Sequence, residues 1–217
     1  MAGSNVDTVV DAITEAVRNG RLVPGTRLVE ADYTHDFGFS RSTVREAFQR
    51  LISTGLLTFE RHRGVSVCKL TRKQAVDIYR VRANLEGLAA RLATEQIKRA
   101  PEICLELQQK LDDAVEKSDL PLFSQLNTEF HALIAKAADN EYLLQAIQQF
   151  ETSIFWLQFR VLVGQNAVFT TNDDHRLIVD AMVAGDAKRA ERAMVDHIMK
   201  ASKLVQELDD DYFKIDK

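Results

Sequence analysis

From Arg72 onward, apolar residues return at every third or fourth position almost without a break, and this one periodicity excludes most folds. Ile103, Leu107, Leu111 and Ala114 form one set, and Phe123, Phe130 and Ile134 a second. Leu143, Leu144, Ile147 and Phe150 form a third, followed by Ile178 with Met182, and then Ala190, Met194, Ile198, Ala201 and Val205. Spacing of this kind lines one face of a helix. No period-two alternation interrupts it, so the sequence predicts an antiparallel bundle of about six helices over residues 71–217. Only 9 glycines and 3 prolines punctuate the 217 residues, in keeping with long helices. The first and longest helix is expected over about Arg72 to Arg99, with Ile78, Val81, Leu85, Leu88 and Leu92 as its buried face. Pro101 restarts the chain.

Residues 1–70 read differently. Val9, Ile13 and Val17 mark a first helix, stopped by Gly20, and Pro24-Gly25 is a strong turn signal. A short helix over about Glu30 to Phe37 turns Tyr33 and Phe37 inward. Gly38 then introduces a third helix with Ser40 as its N-cap and Val44, Ala47, Phe48 and Leu51 on the apolar face. The opposite face carries Arg41, Arg45 and Arg50. Cations near a helix N-terminus oppose its dipole, so they point to an external anion. Leu56–Phe59 and Val65–Val67 read as a two-stranded hairpin with a basic tip, Arg61-His62-Arg63-Gly64. Three helices and such a hairpin make a winged helix-turn-helix, whose third helix would enter a DNA groove. The fold expected is therefore mainly α, a winged helix-turn-helix over 1–70 followed by an all-α bundle over 71–217.

Several fixed spacings in this segment resemble the N-terminal domain of the GntR family of transcription regulators. They are Gly20-Arg21-Leu22-Val23-Pro24-Gly25-Thr26-Arg27-Leu28, then Gly38-x-Ser40-Arg41-x-x-Val44-Arg45-Glu46-Ala47, Arg50-Leu51, Gly55-Leu56 and Arg63-Gly64-x-x-Val67. The resemblance covers about residues 9–68. It implies that the third helix enters the major groove and the wing the minor groove. Ser40, Arg41, Ser42, Thr43 and Arg45 would face double-stranded operator DNA, with Arg63 and Gly64 approaching it from the wing. Arginine suits guanine O6/N7 or phosphate, and the hydroxyls suit phosphate oxygens. The segment Ala31-Asp32-Tyr33-Thr34-His35-Asp36 departs from the Leu-Ala pair of many relatives. His35 and His62 are expected at the surface.

The bundle has polar intruders on its apolar stripes. Arg82 lies on the first. Asn127 and His131 are four apart and face one way. His175 is in register with Ile178 and Met182, and His197 with Met194 and Ala201. Three of the chain's 5 histidines thus fall on inward faces of three helices. From spacing alone, satisfied core histidines and a first-row metal site are both open. Arg82 reads either as a ligand anchor or as a buried partner of Glu86.

Arg82-x-x-Leu85-Glu86, Asn127-x-x-x-His131, Asp139-Asn140, Asp174-His175, Gly185-Asp186 and His197 resemble the FadR-type effector domain of the same family, the all-helical domain called FCD. That resemblance covers about residues 72–210. It implies a divalent transition metal, zinc or nickel, held by Asn127, His131, His175 and His197. A small organic acid effector would bind beside it, anchored also by Arg82, with Trp156, Gln158 or Arg160 as weaker candidates for the same wall. Asn127 stands where many members have Asp, which leaves the metal more positive. The function implied is a ligand-responsive, metal-assisted transcription regulator, a repressor among the possibilities, bound as a homodimer to a pseudo-palindromic operator.

Charge and composition set the remaining bounds. Net charge is −4, but residues 1–70 hold nine basic and eight acidic side chains, so the acidic excess lies in the bundle, away from any phosphate. Cys68 and Cys104 are far apart and expected reduced. No apolar run suggests a membrane span or a signal peptide, so a cytoplasmic location is expected. Metal-dependent hydrolysis is disfavoured, because no carboxylate stands in an obvious base position. A di-iron bundle needs paired Glu-x-x-His motifs, and Glu129-Phe130-His131 has the wrong spacing. The tail Asp209–Phe213 reads as an acidic, frayed end.

Overall fold

The computed structural model describes residues 4–18, 20–150 and 171–214. They group into two compact units. The first comprises residues up to Thr71 together with 149–150 and 209–214; the second comprises the rest of the stretch from Arg72 to Leu208.

The first unit is a winged helix-turn-helix built from α1 (Asn5–Arg18), β1 (Arg27–Leu28), α2 (Glu30–Phe37), α3 (Arg41–Ser53), β2 (Leu57–Glu60) and β3 (Gly64–Val67). Val9, Ile13 and Val17 of α1 meet Val44, Ala47, Phe48 and Leu51 of α3 in a core closed by Leu28, Leu57 and Val67. Tyr33 and Phe37 of α2 pack against that core and are half-buried. Gly38 ends α2 in the left-handed region (φ 66°), with its N–H bonded to Thr34 O at 3.1 Å. A side chain with Cβ would pay strain there. Ser40 then caps α3, its Oγ accepting the Thr43 N–H at 3.2 Å.

The sheet has three strands, not two. β1 pairs antiparallel with β3 (Arg27 opposite Ser66, Leu28 opposite Val65), giving the order β1-β3-β2. A two-residue strand carries too little alternation to be seen in a sequence. The tail is not frayed either. Asp210–Tyr212 form one 3-10 turn, Phe213 is buried, and the Lys214 N–H donates to Leu70 O at 2.8 Å. Lys214 Nζ also lies 2.8 Å from Glu60 Oε1. One aromatic residue with a buried site outweighs the acidic run that precedes it.

The second unit is all helical among the described residues: α4 (Arg72–Arg99), α5 (Glu102–Glu116), α6 (Leu120–Ala137), α7 (helical over 141–148 in this unit), α8 (Thr171–Ala184) and α9 (Ala187–Gln206). Side-chain caps start three of them. Asp119 accepts from Leu122 N (3.1 Å), Asn140 from Leu143 N (3.0 Å) and Asp186 from Arg189 N (3.0 Å). α4 is the central element, packed against α6, α8 and α9.

The buried face of α4 is not the leucine stripe. Val81 and Leu92 are 43% and 41% exposed, and Ile78, Leu85 and Leu88 are only half-buried. The buried face instead carries Ala75, Tyr79, Arg82, Ala83, Glu86, Gly87 and Ala90. Small residues win because they let α9 approach closely. A Cβ placed on Gly87 would stand 2.7 Å from Val195 Cγ2 and 3.3 Å from Glu191 O. In α5 the same kind of shift leaves Ile103 65% exposed and buries Cys104. At the base of the bundle the Arg72 guanidinium donates through Nη1 to Gln206 O and through Nη2 to Leu208 O (2.9 Å). A cation there also suits the negative end of α9.

Candidate functional site

In the first unit the polar groups gather at the start of α3 and at the wing. Ser40 Oγ lies 2.7 Å from Ser42 Oγ and 2.9 Å from Thr43 Oγ1, so three hydroxyls cluster at the helix N-terminus. Arg41 is exposed beside them. Arg45 is held by Glu30 of α2 in a two-point contact, Nε to Oε1 at 3.1 Å and Nη2 to Oε2 at 2.9 Å. Arg50 pairs with Asp7 (2.9 Å) and Glu46 (3.0 Å), which fastens α3 to α1. At the wing, His62 and Gly64 both have positive φ (69° and 81°), making the tight tip that carries Arg61 and Arg63. Arg63 reaches Glu60 at 3.3 Å. The unforeseen β1 brings Arg27 there as well: its Nε would lie 3.7 Å from a Cβ on Gly64. An Arg-Leu pair just after the Pro24-Gly25 turn was the only sequence signal for it.

In the second unit α6, α8 and α9 bring His131, His175 and His197 together, at 6%, 0% and 4% exposure. His197 Nε2 stands 3.3 Å from both His175 Nε2 and His131 Nε2, and the three ligand atoms all lie within 4.8 Å of one another. Phe130 lies against His175 with ring centroids 4.5 Å apart. Carboxylates back two of the rings. His131 Nδ1 lies 2.6 Å from Glu86 Oε2, and His197 Nδ1 3.7 Å from Asp174 Oδ2. Lys200 Nζ in turn holds Asp174 at 3.0 Å.

Electrostatics favour the neutral ring at His175 and His197. Burial pushes the His175 imidazole well below its ordinary pKa, and His197 and His131 add to the shift. Burial also lowers His197, against the opposing pull of Asp174. Burial alone would raise Glu86, but Arg82 and His131 outweigh it and hold the carboxyl at about 2. A carboxylate facing Nδ1, as Glu86 faces His131 and Asp174 faces His197, favours the proton on that nitrogen and the Nε2 lone pair inward. Inward lone pairs at van der Waals distance repel unless a cation sits among them. Nitrogens held tetrahedrally about 2.05 Å from zinc stand roughly 3.3 Å apart, which matches the two short separations. The donor set therefore fits a first-row divalent ion.

Arg82 is buried at 1% exposure, with its Nη2 2.5 Å from Glu86 Oε1 and its guanidinium carbon 5.5 Å from the centre of the Tyr79 ring. Of its two readings, the buried pair with Glu86 is the one observed. Asn127, one turn before His131 on α6, is half-buried. Trp156, Gln158 and Arg160 lie outside the described residues. Glu86 and Asp174 as partners of His131 and His197 were not foreseen. Both contacts run between helices, and no local spacing announces them.

A helix-turn-helix with a wing and a histidine-bearing helical bundle define a class, the two-domain transcription regulators. Residues 5–67 match "Bacterial regulatory proteins, gntR family", and residues 77–200 match "FCD domain". The chain is 31% identical over 190 residues to the "Probable D-xylose utilization operon transcriptional repressor" of Paenarthrobacter nicotinovorans, covering 88% of this chain and 84% of that one. It is 28% identical over 190 residues to the HTH-type transcriptional repressor RspR of Escherichia coli K12, covering 86% and 82%. Among solved structures, E. coli McbR/YncC superposes with a TM-score of 0.80 at 23% identity, over 94% of this chain and 97% of that one. The chain belongs to the GntR family of bacterial transcription regulators, with an FCD effector domain. Its function class is regulation rather than catalysis. Among the described residues, no helix is long and apolar enough to cross a membrane.

Proposed function

We propose that this chain is a FadR-subfamily repressor whose DNA binding responds to a small carboxylate held at a metal in the bundle. The observation that carries the effector half is the convergence of three buried imidazole Nε2 atoms, with carboxylates behind two of the rings. His131, His175 and His197 would hold a zinc or nickel ion, with Asn127 completing the set. The ion would supply the positive charge that draws an anion into the bundle. Glu86 neutralises Arg82, so the metal is the dominant attraction. Arg82 is the candidate second anchor, because the planar fork of a guanidinium suits a ligand carboxylate.

The DNA half rests on the hydroxyl cluster and arginines of α3 and on the basic wing. Ser40, Arg41, Ser42, Thr43 and Arg45 would meet the major groove, and Arg63 and Gly64 the minor groove. One short helix reads few bases, so a homodimer on a pseudo-palindromic operator is the natural arrangement. The part-exposed outer stripe of α4 supports it. Ile78, Val81, Leu85, Leu88 and Leu92 alternate by three and four, the spacing of a helix–helix seam. A cytoplasmic location follows from the DNA target.

The test is a thermal-shift screen of small mono- and dicarboxylates on metal-loaded and chelator-treated protein. A ligand that binds the native state raises the melting temperature by mass action. A hit that chelator abolishes supports the reading. No hit in either form overturns the sensing half.

A further inference from the structure

Glu30 is out of place on a surface that meets phosphate. It opens α2 and is half-buried, and its hydrogen bond from Arg45, with the charges of Arg45 and Arg41, lowers its pKa. A carboxylate beside the recognition helix weakens every backbone contact nearby. Its geometry shows what it offers instead. Glu30 takes Nε and Nη2 of Arg45, the side-on pair of guanidinium donors, at 3.1 and 2.9 Å. That leaves the end-on pair, Nη1 and the second N–H of Nη2, parallel and unengaged by Glu30. Guanine presents O6 and N7 to such a pair.

We infer that Glu30 is a positioning residue that buttresses Arg45, so that Arg45 reads a guanine in each operator half-site rather than a phosphate. The inference rests on the DNA-binding function proposed above. The carboxylate removes rotamers that Arg45 would otherwise lose on binding, and it occupies the donors that would let the guanidinium swing to the backbone. It trades general affinity for discrimination. Arg41, next to the hydroxyl cluster, is left to the phosphates.

The experiment uses the full chain and a randomised double-stranded DNA pool. Wild type, Glu30→Gln, Glu30→Ala and Arg45→Lys each select from the pool. The affinity of each is then measured for the wild-type consensus and for duplexes with single guanines replaced, across a salt series. The expected result is one guanine per half-site whose replacement costs wild type roughly five- to a hundredfold. That ratio falls several-fold or more in all three variants, while both Glu30 variants bind unrelated duplex more tightly with a steeper salt dependence. A Glu30–Arg45 pair that merely staples α2 to α3 would lower the melting temperature and leave the ratios untouched. Unchanged base preferences in the Glu30 variants, with a wild-type consensus in hand, overturn the buttress alone. A wild-type pool with no enriched sequence overturns the DNA-reading function itself and the buttress with it.

Discussion

Gly87→Ala tests how closely α4 and α9 are packed. The added methyl would stand 2.7 Å from Val195 Cγ2, which is β-branched and stiff, and 3.3 Å from the Glu191 carbonyl oxygen of the helix backbone. Carbon atoms prefer about 3.5–4.0 Å, so one helix must give way by about 1 Å or Val195 must leave its rotamer. Overpacking of this size costs about 1–3 kcal/mol. Against it stands the helix propensity of alanine, which favours the variant by about 1 kcal/mol. The balance is a loss of roughly 0–2 kcal/mol, or a melting temperature lower by about 2–4 °C at the central value for a chain of this size. The decisive measurement is a double-mutant cycle with Val195→Ala, followed by chemical denaturation. Removing the valine methyls should let the alanine at 87 express its propensity, so the double variant should be more stable than the two single losses predict, by about 1 kcal/mol. Additive losses, or a single Gly87→Ala variant more stable than wild type, would refute the close-packing argument.

Three further outcomes are expected. His131→Ala should abolish retention of metal, read by elemental analysis of the full chain; a variant that keeps one equivalent sinks the proposed ligand set. Alkali should loosen the bundle through two buried acids. Burial raises Tyr79 to about 12 and Cys104 to about 11. Both hold their protons more tightly folded than unfolded, so their contribution is intact below about pH 9 and falls as pH climbs towards 12, by up to roughly 2–3 kcal/mol each. Denaturation midpoints at pH 8 and 11 should therefore lie closer together in Tyr79→Phe than in wild type, with Cys104 supplying the remaining difference, and an unchanged pH slope in that variant contradicts the account. Arg41→Ala should weaken DNA binding evenly across sequences and flatten the salt dependence by about one unit per protomer, whereas a loss confined to one sequence would make Arg41 a base reader.

Much of the architecture was legible because it is written in local spacing. Val9, Ile13 and Val17 mark α1 without ambiguity, as Ser40 marks the start of α3. The three histidines share register with apolar residues, and this placed them inside before any contact was known. What stayed hidden depends on partners. The outer face of α4 is more apolar than its inner one, so a count of large side chains selects the wrong stripe. The inner face is chosen by the proximity of α9, which small residues permit and leucine does not. The carboxylates behind His131 and His197 come from α4 and α8, and their sequence separations carry no signal. Phe213 hides behind three aspartates, and β1 is shorter than any periodicity can reveal.

The clasp of Arg72 on the carbonyls of Gln206 and Leu208 has a mechanical meaning. It ties the chain entering the bundle to the chain leaving it, as a drawstring gathers the mouth of a bag. The helix that carries Glu86 and the helix that carries His197 share that knot. Those two helices are therefore held at this end as well as along their packed faces.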